Sequence, residues 1–276
     1  MAHNSGLLIV SNLVQKHRLT SLFQFAKTLV RQKLFVTVPH ASASLNYWKT
    51  AVSVCYTTAS EACPLLDVRL LLPFPTTNPD PLQFDVVLTQ SSDTQFARTL
   101  ATRLNPSYKN GIMLAVDESM AASDPANTNS MTSDLRVISV QGTYSHVCLG
   151  GTFDRLHNGH KILLSVGALL SSEQLLVGIT SCAMLGRKQL APLILSWQKR
   201  SDEVQYFLRE IGLAKSRFNV VELTDAFGPP AVQSEFQCIV TSDEVLDTCM
   251  QLNRMRAEKG FQPLDIEQID FVPNPL

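Results

Sequence analysis

The feature that most limits the fold is the regular alternation in the C-terminal half of the chain. Short apolar runs at 146–150, 174–180, 218–224, 236–241 and 265–272 read as strands, and helical patterns over 161–171, 198–211 and 243–259 interleave with them. In the first of these helices Ile162, Leu163, Val166, Leu169 and Leu170 fall at i, i+1, i+4, i+7 and i+8, on one face. Gly260 follows the last helix, where a C-terminal glycine cap belongs. Such an order predicts a parallel, doubly wound α/β sheet.

The N-terminal half alternates less cleanly. Strand-like runs occur at 6–12, 33–38, 65–72, 84–88 and 111–115, and helical patterns near 17–31 and 90–104. A smaller α/β domain is expected. Ser91, Ser92, Asp93 and Thr94 form a turn or N-cap cluster before the second of these helices. The stretch from Asp117 to Asp134 (DESMAASDPANTNSMTSD) is polar and has no apolar periodicity, as a linker does. The expected division is an N-terminal α/β region over 1–116, a linker over 117–140 and a second domain over 141–276. A chain of 276 residues suits two domains at about 150 residues each.

Composition narrows the function classes. With 45% apolar residues the chain can bury a sizeable core, which excludes global disorder. A formal net charge of −1 lacks the basic excess of a general nucleic-acid binder. No apolar run reaches the 18 or so residues of a membrane-spanning helix. The six cysteines, at 55, 63, 148, 182, 238 and 249, form no CxxC pair and no zinc-spaced cluster with histidine. They read as reduced thiols in an intracellular compartment, and no protein metal site is expected. The first acid is Glu61, preceded by Lys16, Arg18, Lys27, Arg31, Lys33 and Lys49. An acid-free basic start fits a mitochondrial transit segment. It also fits a first βα unit with a solvated basic face, which the strand-like runs favour. Cytoplasm and mitochondrion both remain open.

The chemistry is concentrated in GGTFDRLHNGH, residues 150–160, between the first strand of the second half and its helix. In open α/β sheets ligands bind at the carboxyl ends of strands, next to helix N-termini. Gly150 and Gly151 remove side chains where a ligand can approach the backbone. Thr152 offers a hydroxyl to a phosphate oxygen. His157 and His160 share one face of a helix start, and Gly159 leaves room between them. Imidazoles at that place can donate to charge developing on phosphate.

These residues resemble the HxGH signature of the nucleotidyltransferases. More narrowly, GGTFD followed by LHNGH resembles the phosphopantetheine adenylyltransferase domain of eukaryotic bifunctional coenzyme A synthase and its archaeal relatives. Several later segments extend the likeness, which covers about 145–272. Trp197-Gln198-Lys199-Arg200 takes the place of a PYxxR segment. The run from Ile239 to Glu244 resembles VVSxET. Asn253, Arg256, Gly260, Pro263 and Leu264 resemble NxxRxxxGxxPL. The early SGLLIV run resembles that synthase's N-terminal region.

The resemblance implies a Rossmann-like fold of the HUP nucleotidyltransferase type. It also implies transfer of AMP from ATP to 4′-phosphopantetheine, giving dephospho-coenzyme A and pyrophosphate. Thr152 then orients the attacking phosphate, His160 contacts the α-phosphate, and Lys188 neutralises charge. Gly150, Gly151, Phe153, Asp154, His157 and Gly159 line the nucleotide phosphates. Ser242, Glu244, Asn253 and Arg256 shape the substrate side, and Mg²⁺ accompanies ATP.

The chain departs from the pattern in three ways. No ISSTxxR-type motif follows the last strand, because Asn274-Pro275-Leu276 stand where it should begin. No GxxxxGK[ST] loop occurs. Val245 replaces the Thr of VVSxET, and Ser196-Trp197 replace Pro-Tyr. Two alternatives follow from the first departure. The chain is either the truncated front of a bifunctional enzyme, or a weak or inactive nucleotide-binding scaffold. A cytidylyltransferase or a nicotinamide-nucleotide adenylyltransferase is a further reading, against which the Asn253/Arg256/Gly260 block speaks.

Overall fold

The computed structural model describes residues 2–39, 44–74, 81–90, 94–108, 112–116, 140–186 and 193–269. These form two compact units, the second beginning at Val140. Residues 117–139, most of the expected linker, lie outside the described residues.

The first unit holds strands β1 (His3–Ile9), β2 (Val30–Thr37), β3 (Asp67–Leu70), β4 (Val86–Gln90) and β5 (Ile112–Val116) in one parallel sheet, ordered β3-β2-β1-β4-β5. Its helices are α1 (Lys16–Leu29), α2 (Leu45–Ala62) and α3 (Thr94–Leu104). Strands covered on both faces read as continuous apolar runs, as in the buried Leu7–Val10. Helix α1 buries Leu19, Leu22, Phe23 and Ala26, a stripe at three- and four-residue steps. The sequence reading has no helix at α2. That segment is rich in Thr, Val and Tyr, whose intrinsic helix preference is low. Packing overrides the preference, because Trp48, Ala51, Val52, Cys55, Tyr56, Ala59 and Ala62 form one buried face.

The second unit repeats the same strand order. Strands β6 (Tyr144–Gly151), β7 (Ser171–Thr180), β8 (Phe218–Leu223), β9 (Cys238–Thr241) and β10 (Asp265–Gln268) make a parallel sheet, ordered β10-β9-β6-β7-β8. The helices are α4 (Asn158–Leu170), α5 (Cys182–Leu185), α6 (Trp197–Glu210) and α7 (Leu246–Glu258). This is the doubly wound sheet that the alternation predicts. Helix α4 begins at Asn158, three residues before the expected Lys161, so His160 lies inside its first turn. The expected helix at 243–259 opens as a 3₁₀ turn over 243–245.

Two devices close the end of α7. Gly260 has φ +76°. Its N–H reaches Ala257 O at 3.0 Å, and Phe261 N–H reaches Arg256 O at 2.9 Å. That pair is a Schellman motif, which needs a residue free to take the left-handed conformation. Arg256 is fully buried, and its guanidinium donates to the carbonyls of Gln262, Pro230, Gln233, Ser234 and Phe236. It ties the approach to β9 to the end of α7. An ammonium cannot reproduce a planar five-donor fork. We therefore expect Arg256→Lys to lower stability by about 3 kcal/mol or more, from buried carbonyls left unpaired at about 1–3 kcal/mol each. Urea unfolding measures this, and a loss below about 1 kcal/mol would show that the carbonyls find other donors.

Candidate active site

Strand β6 has β7 on one side and β9 on the other. The chain leaves β6 toward β7 and β8, then returns to β9 on the opposite flank. The carboxyl end of β6 is therefore the switch point of the sheet, where doubly wound folds leave a crevice. The glycine pair, the loop and the start of α4 emerge there, with Ser242 just beyond the end of β9.

The loop is held in costly conformations. Phe153 has φ 52° and Arg155 φ 47°, both left-handed. Such residues cost of order 1–3 kcal/mol and persist only where the surroundings enforce them. Phe153 is buried completely, and its ring lies 5.1 Å from that of His160. The His160 ring in turn stacks on His157, with centroids 3.8 Å apart and planes at 29°. A Cβ at position 151 would come within 3.0 Å of the Phe153 ring. Gly151 thus makes space for the ring that supports the histidines.

The start of α4 is electrostatically open. His157 is its N-cap residue but makes no side-chain cap, and the first turn contains no acid. The backbone N–H groups there keep their partial positive charge for an anion. Burial lowers the pKa of both imidazoles, His160 to about 3, where His157 contributes further; Lys161 adds to the effect on His157. Both rings are neutral near pH 7, and each offers one N–H donor. His160 Nδ1 is buried with no hydrogen-bond partner. A buried polar atom left so requires an explanation, and an anion at the open helix start would supply one.

Thr152 directly follows the end of β6. Its Oγ1 is 3.4 Å from Thr180 Oγ1, and Thr180 donates to Gly151 O at 2.9 Å. Asp154 turns its carboxylate to the protein: Oδ1 accepts from Leu195 N at 2.9 Å, and Oδ2 pairs with Arg155. Arg155 also donates to Leu193 O. Gly159 lies in the first turn of α4. Ser242 is half-buried at the start of the 3₁₀ turn, and Glu244 in that turn is exposed.

Of the remaining expected residues, two lie in the C-terminal half of α7 and one, Lys188, lies outside the described residues. Asn253 spends its amide on Leu264, donating to its carbonyl at 2.9 Å and accepting from its N–H at 2.7 Å. With Arg256 committed to five carbonyls, both residues hold the α7–β10 connection. Their spacing in the sequence marks a structural lock at the end of α7. Thr180 and Arg200 were not anticipated as site residues. Arg200 carries a signal, because a cation in the first turn of a helix opposes the dipole and needs another reason to be there.

Residues 148–275 match the cytidylyltransferase-like family. The chain is 38% identical over 126 residues to the phosphopantetheine adenylyltransferase of Saccharomyces cerevisiae, covering 45% of this chain and 40% of that one. It is 36% identical over 132 residues to the phosphopantetheine adenylyltransferase of Methanopyrus kandleri, covering 47% of this chain and 80% of that one. The corresponding enzyme of Pyrococcus furiosus is 35% identical over 133 residues, covering 48% and 81%. The chain thus spans less than half the length of the yeast relative and about four-fifths of the archaeal ones. All three matches are confined to about half of this chain, the share that the second unit occupies. The chain belongs to the cytidylyltransferase-like family, and it is a nucleotidyltransferase.

Proposed function

We propose that the second unit transfers AMP from ATP to 4′-phosphopantetheine, giving dephospho-coenzyme A and pyrophosphate. The observation that carries this reading is the stacked, neutral pair His157–His160 at the uncapped, acid-free start of α4, with Thr152 directly after β6. The names of the yeast and archaeal relatives support the choice of substrates.

The attacking group is already a phosphate anion, so the reaction needs no side-chain nucleophile or base. One bond forms from the pantetheine phosphate oxygen to the α-phosphorus, and the bond from that phosphorus to pyrophosphate breaks. The protein contributes position and charge stabilisation. Thr152 orients the incoming phosphate. His160 donates to the α-phosphate as charge builds there, and His157 with the Gly151 backbone and the α4 amides holds the remaining phosphates. Gly150 and Gly159 keep side chains out of their path. Phe153 and Asp154 act from below, the first under His160 and the second on the segment at Leu195. Lys188 is proposed to neutralise phosphate charge, and Ser242 and Glu244 to border the substrate beside β9. Mg²⁺ comes with ATP, held by its phosphate oxygens. Among the described residues no group of three His, Cys, Asp or Glu side chains converges to cage an ion.

Purified chain mixed with ATP, Mg²⁺ and 4′-phosphopantetheine should release pyrophosphate and dephospho-coenzyme A in equal amounts. His160→Ala should lower kcat by about 100- to 1,000-fold, the range for losing one transition-state donor. Turnover with CTP or nicotinamide mononucleotide instead of this pair would overturn the substrate assignment.

The buried imidazole also predicts a pH dependence of stability. The folded pKa of His160 is about 3, against an ordinary 6.5 when unfolded. Between those values the unfolded chain binds the extra proton, so stability is fully present above pH 6.5 and falls as the pH drops toward 3. Urea unfolding at pH 7, 6 and 5 should show this loss, limited to about 1.4 kcal/mol per pH unit for one proton. His160→Gln should flatten the slope by about that one-proton amount. An unchanged slope would mean that the native imidazole is protonated.

A further inference from the structure

Arg200 is fully buried in the first turn of α6, and it donates to three carbonyls. Its Nη1 reaches Thr152 O at 2.7 Å, its Nη2 reaches Thr180 O at 2.8 Å, and its Nε reaches Leu195 O at 2.9 Å. One guanidinium therefore joins the loop after β6, the end of β7 and the approach to α6. Neighbouring contacts repeat the connection. Trp197 Nε1 donates to Ile179 O at 3.3 Å, Leu195 N–H to Asp154, and the Thr180 hydroxyl to Gly151 O. Among the described residues no carboxylate pairs with Arg200. Burying a cation without one is expensive, so the three carbonyls that it satisfies are what hold it there.

We propose that Arg200 is the positioning residue of the adenylyl-transfer reaction, acting through Thr152, with Thr180 as its partner. This rests on the reading above. Thr152 is the residue assigned to the attacking phosphate, and its backbone has two anchors. The Gly151 carbonyl on one side accepts from Thr180, and its own carbonyl accepts from Arg200. Neither anchor touches substrate. Together they set where the Thr152 hydroxyl stands relative to His160. The planar fork matters because three carbonyls in three directions need three fixed donors. In-line transfer is sensitive to displacements near 1 Å, which can cost about a hundredfold in rate. The effect belongs on kcat, since the substrates still bind through the histidines and the α4 amides.

Arg200→Lys keeps the charge and removes the fork. Per mole of folded protein, kcat should fall at least tenfold, while KM for ATP and for phosphopantetheine stays within threefold of the wild type. Thr180→Val removes one hydroxyl and no buried charge, so it decides the matter if Arg200→Lys does not fold. It should lower kcat in the same way, and Thr180→Ser should restore it. Hydrogen exchange gives a readout free of substrate: amides of 151–155 should exchange at least tenfold faster in Arg200→Lys or Thr180→Val, and those of α7 should not. Folded variants with wild-type kcat, or with unchanged exchange at 151–155, would overturn the proposal. A wild-type chain that exchanges as described but shows no turnover with this substrate pair would sink the adenylyl-transfer reading, and the exchange comparison would still decide whether Arg200 holds the loop.

Discussion

The site depends on the double pairing of β6. Hydrogen bonding to β7 on one flank and to β9 on the other fixes the strand in position and in register. The helix that follows is anchored as firmly. Every residue of α4 from Lys161 to Leu170 is buried, so the helix has little freedom to slide or roll. The loop 152–157 spans two immobile ends. That constraint lets it hold left-handed backbone at Phe153 and Arg155, and it fixes two imidazoles face to face. Without a rigid strand end and a buried helix, the stacked pair would have nothing to hold its geometry.

Several groups at this end of the sheet break local rules together. Helix α4 starts without a side-chain cap, two non-glycine residues take positive φ, and a buried histidine nitrogen has no partner. Elsewhere the same unit satisfies demanding groups, as at Arg256 and in the Schellman turn at Gly260, although the Ser165 and Ser171 hydroxyls are also buried without partners. Strained backbone, an open helix start and an unpartnered imidazole gathered at one strand end fit a place that receives a ligand. The unused donors all carry partial positive charge or N–H groups, so the ligand they await is anionic. Neutral imidazoles suit this better than charged ones. They donate to phosphate as it becomes more negative, and they do not bind the ground state so tightly that the gain at the transition state is lost.

Much of this was legible in the sequence because it rests on local rules. Alternating strands and helices gave the doubly wound sheet, and the glycine–threonine–histidine string lies at the strand end between β6 and α4, as its pattern predicts. Gly260 announced its own turn. What failed to show depends on tertiary contacts. Helix α2 was hidden by β-branched and aromatic residues whose preference is outvoted by burial. Asn253 and Arg256 have polar side chains with suggestive spacing, and only the fold reveals that Asn253 pairs with the Leu264 backbone and that backbone carbonyls consume every Arg256 donor. Asp154 belongs to the signature string, yet its carboxylate faces Leu195 and Arg155, a destination set by a segment some forty residues away. Arg200 stood only as the last residue of a PYxxR-like segment, and its three carbonyls come from distant parts of the unit.

The first unit makes the argument from the other direction. It has the same strand order and the same kind of switch point, between β1 and β4. Topology alone would place a ligand there. But the connection from β1 to α1 carries no glycine and no histidine before the helix, and Asn12 turns its side chain back to accept from Val14 N–H within the loop. The backbone that approaches a phosphate in the second unit is filled with side chains in the first. A doubly wound sheet supplies a place for an anion, and a handful of residues at one strand end decides whether anything can bind and react there. In this chain both sheets offer the place, and only the string from Gly150 to His160 combines bare backbone, an open helix start and two neutral donors.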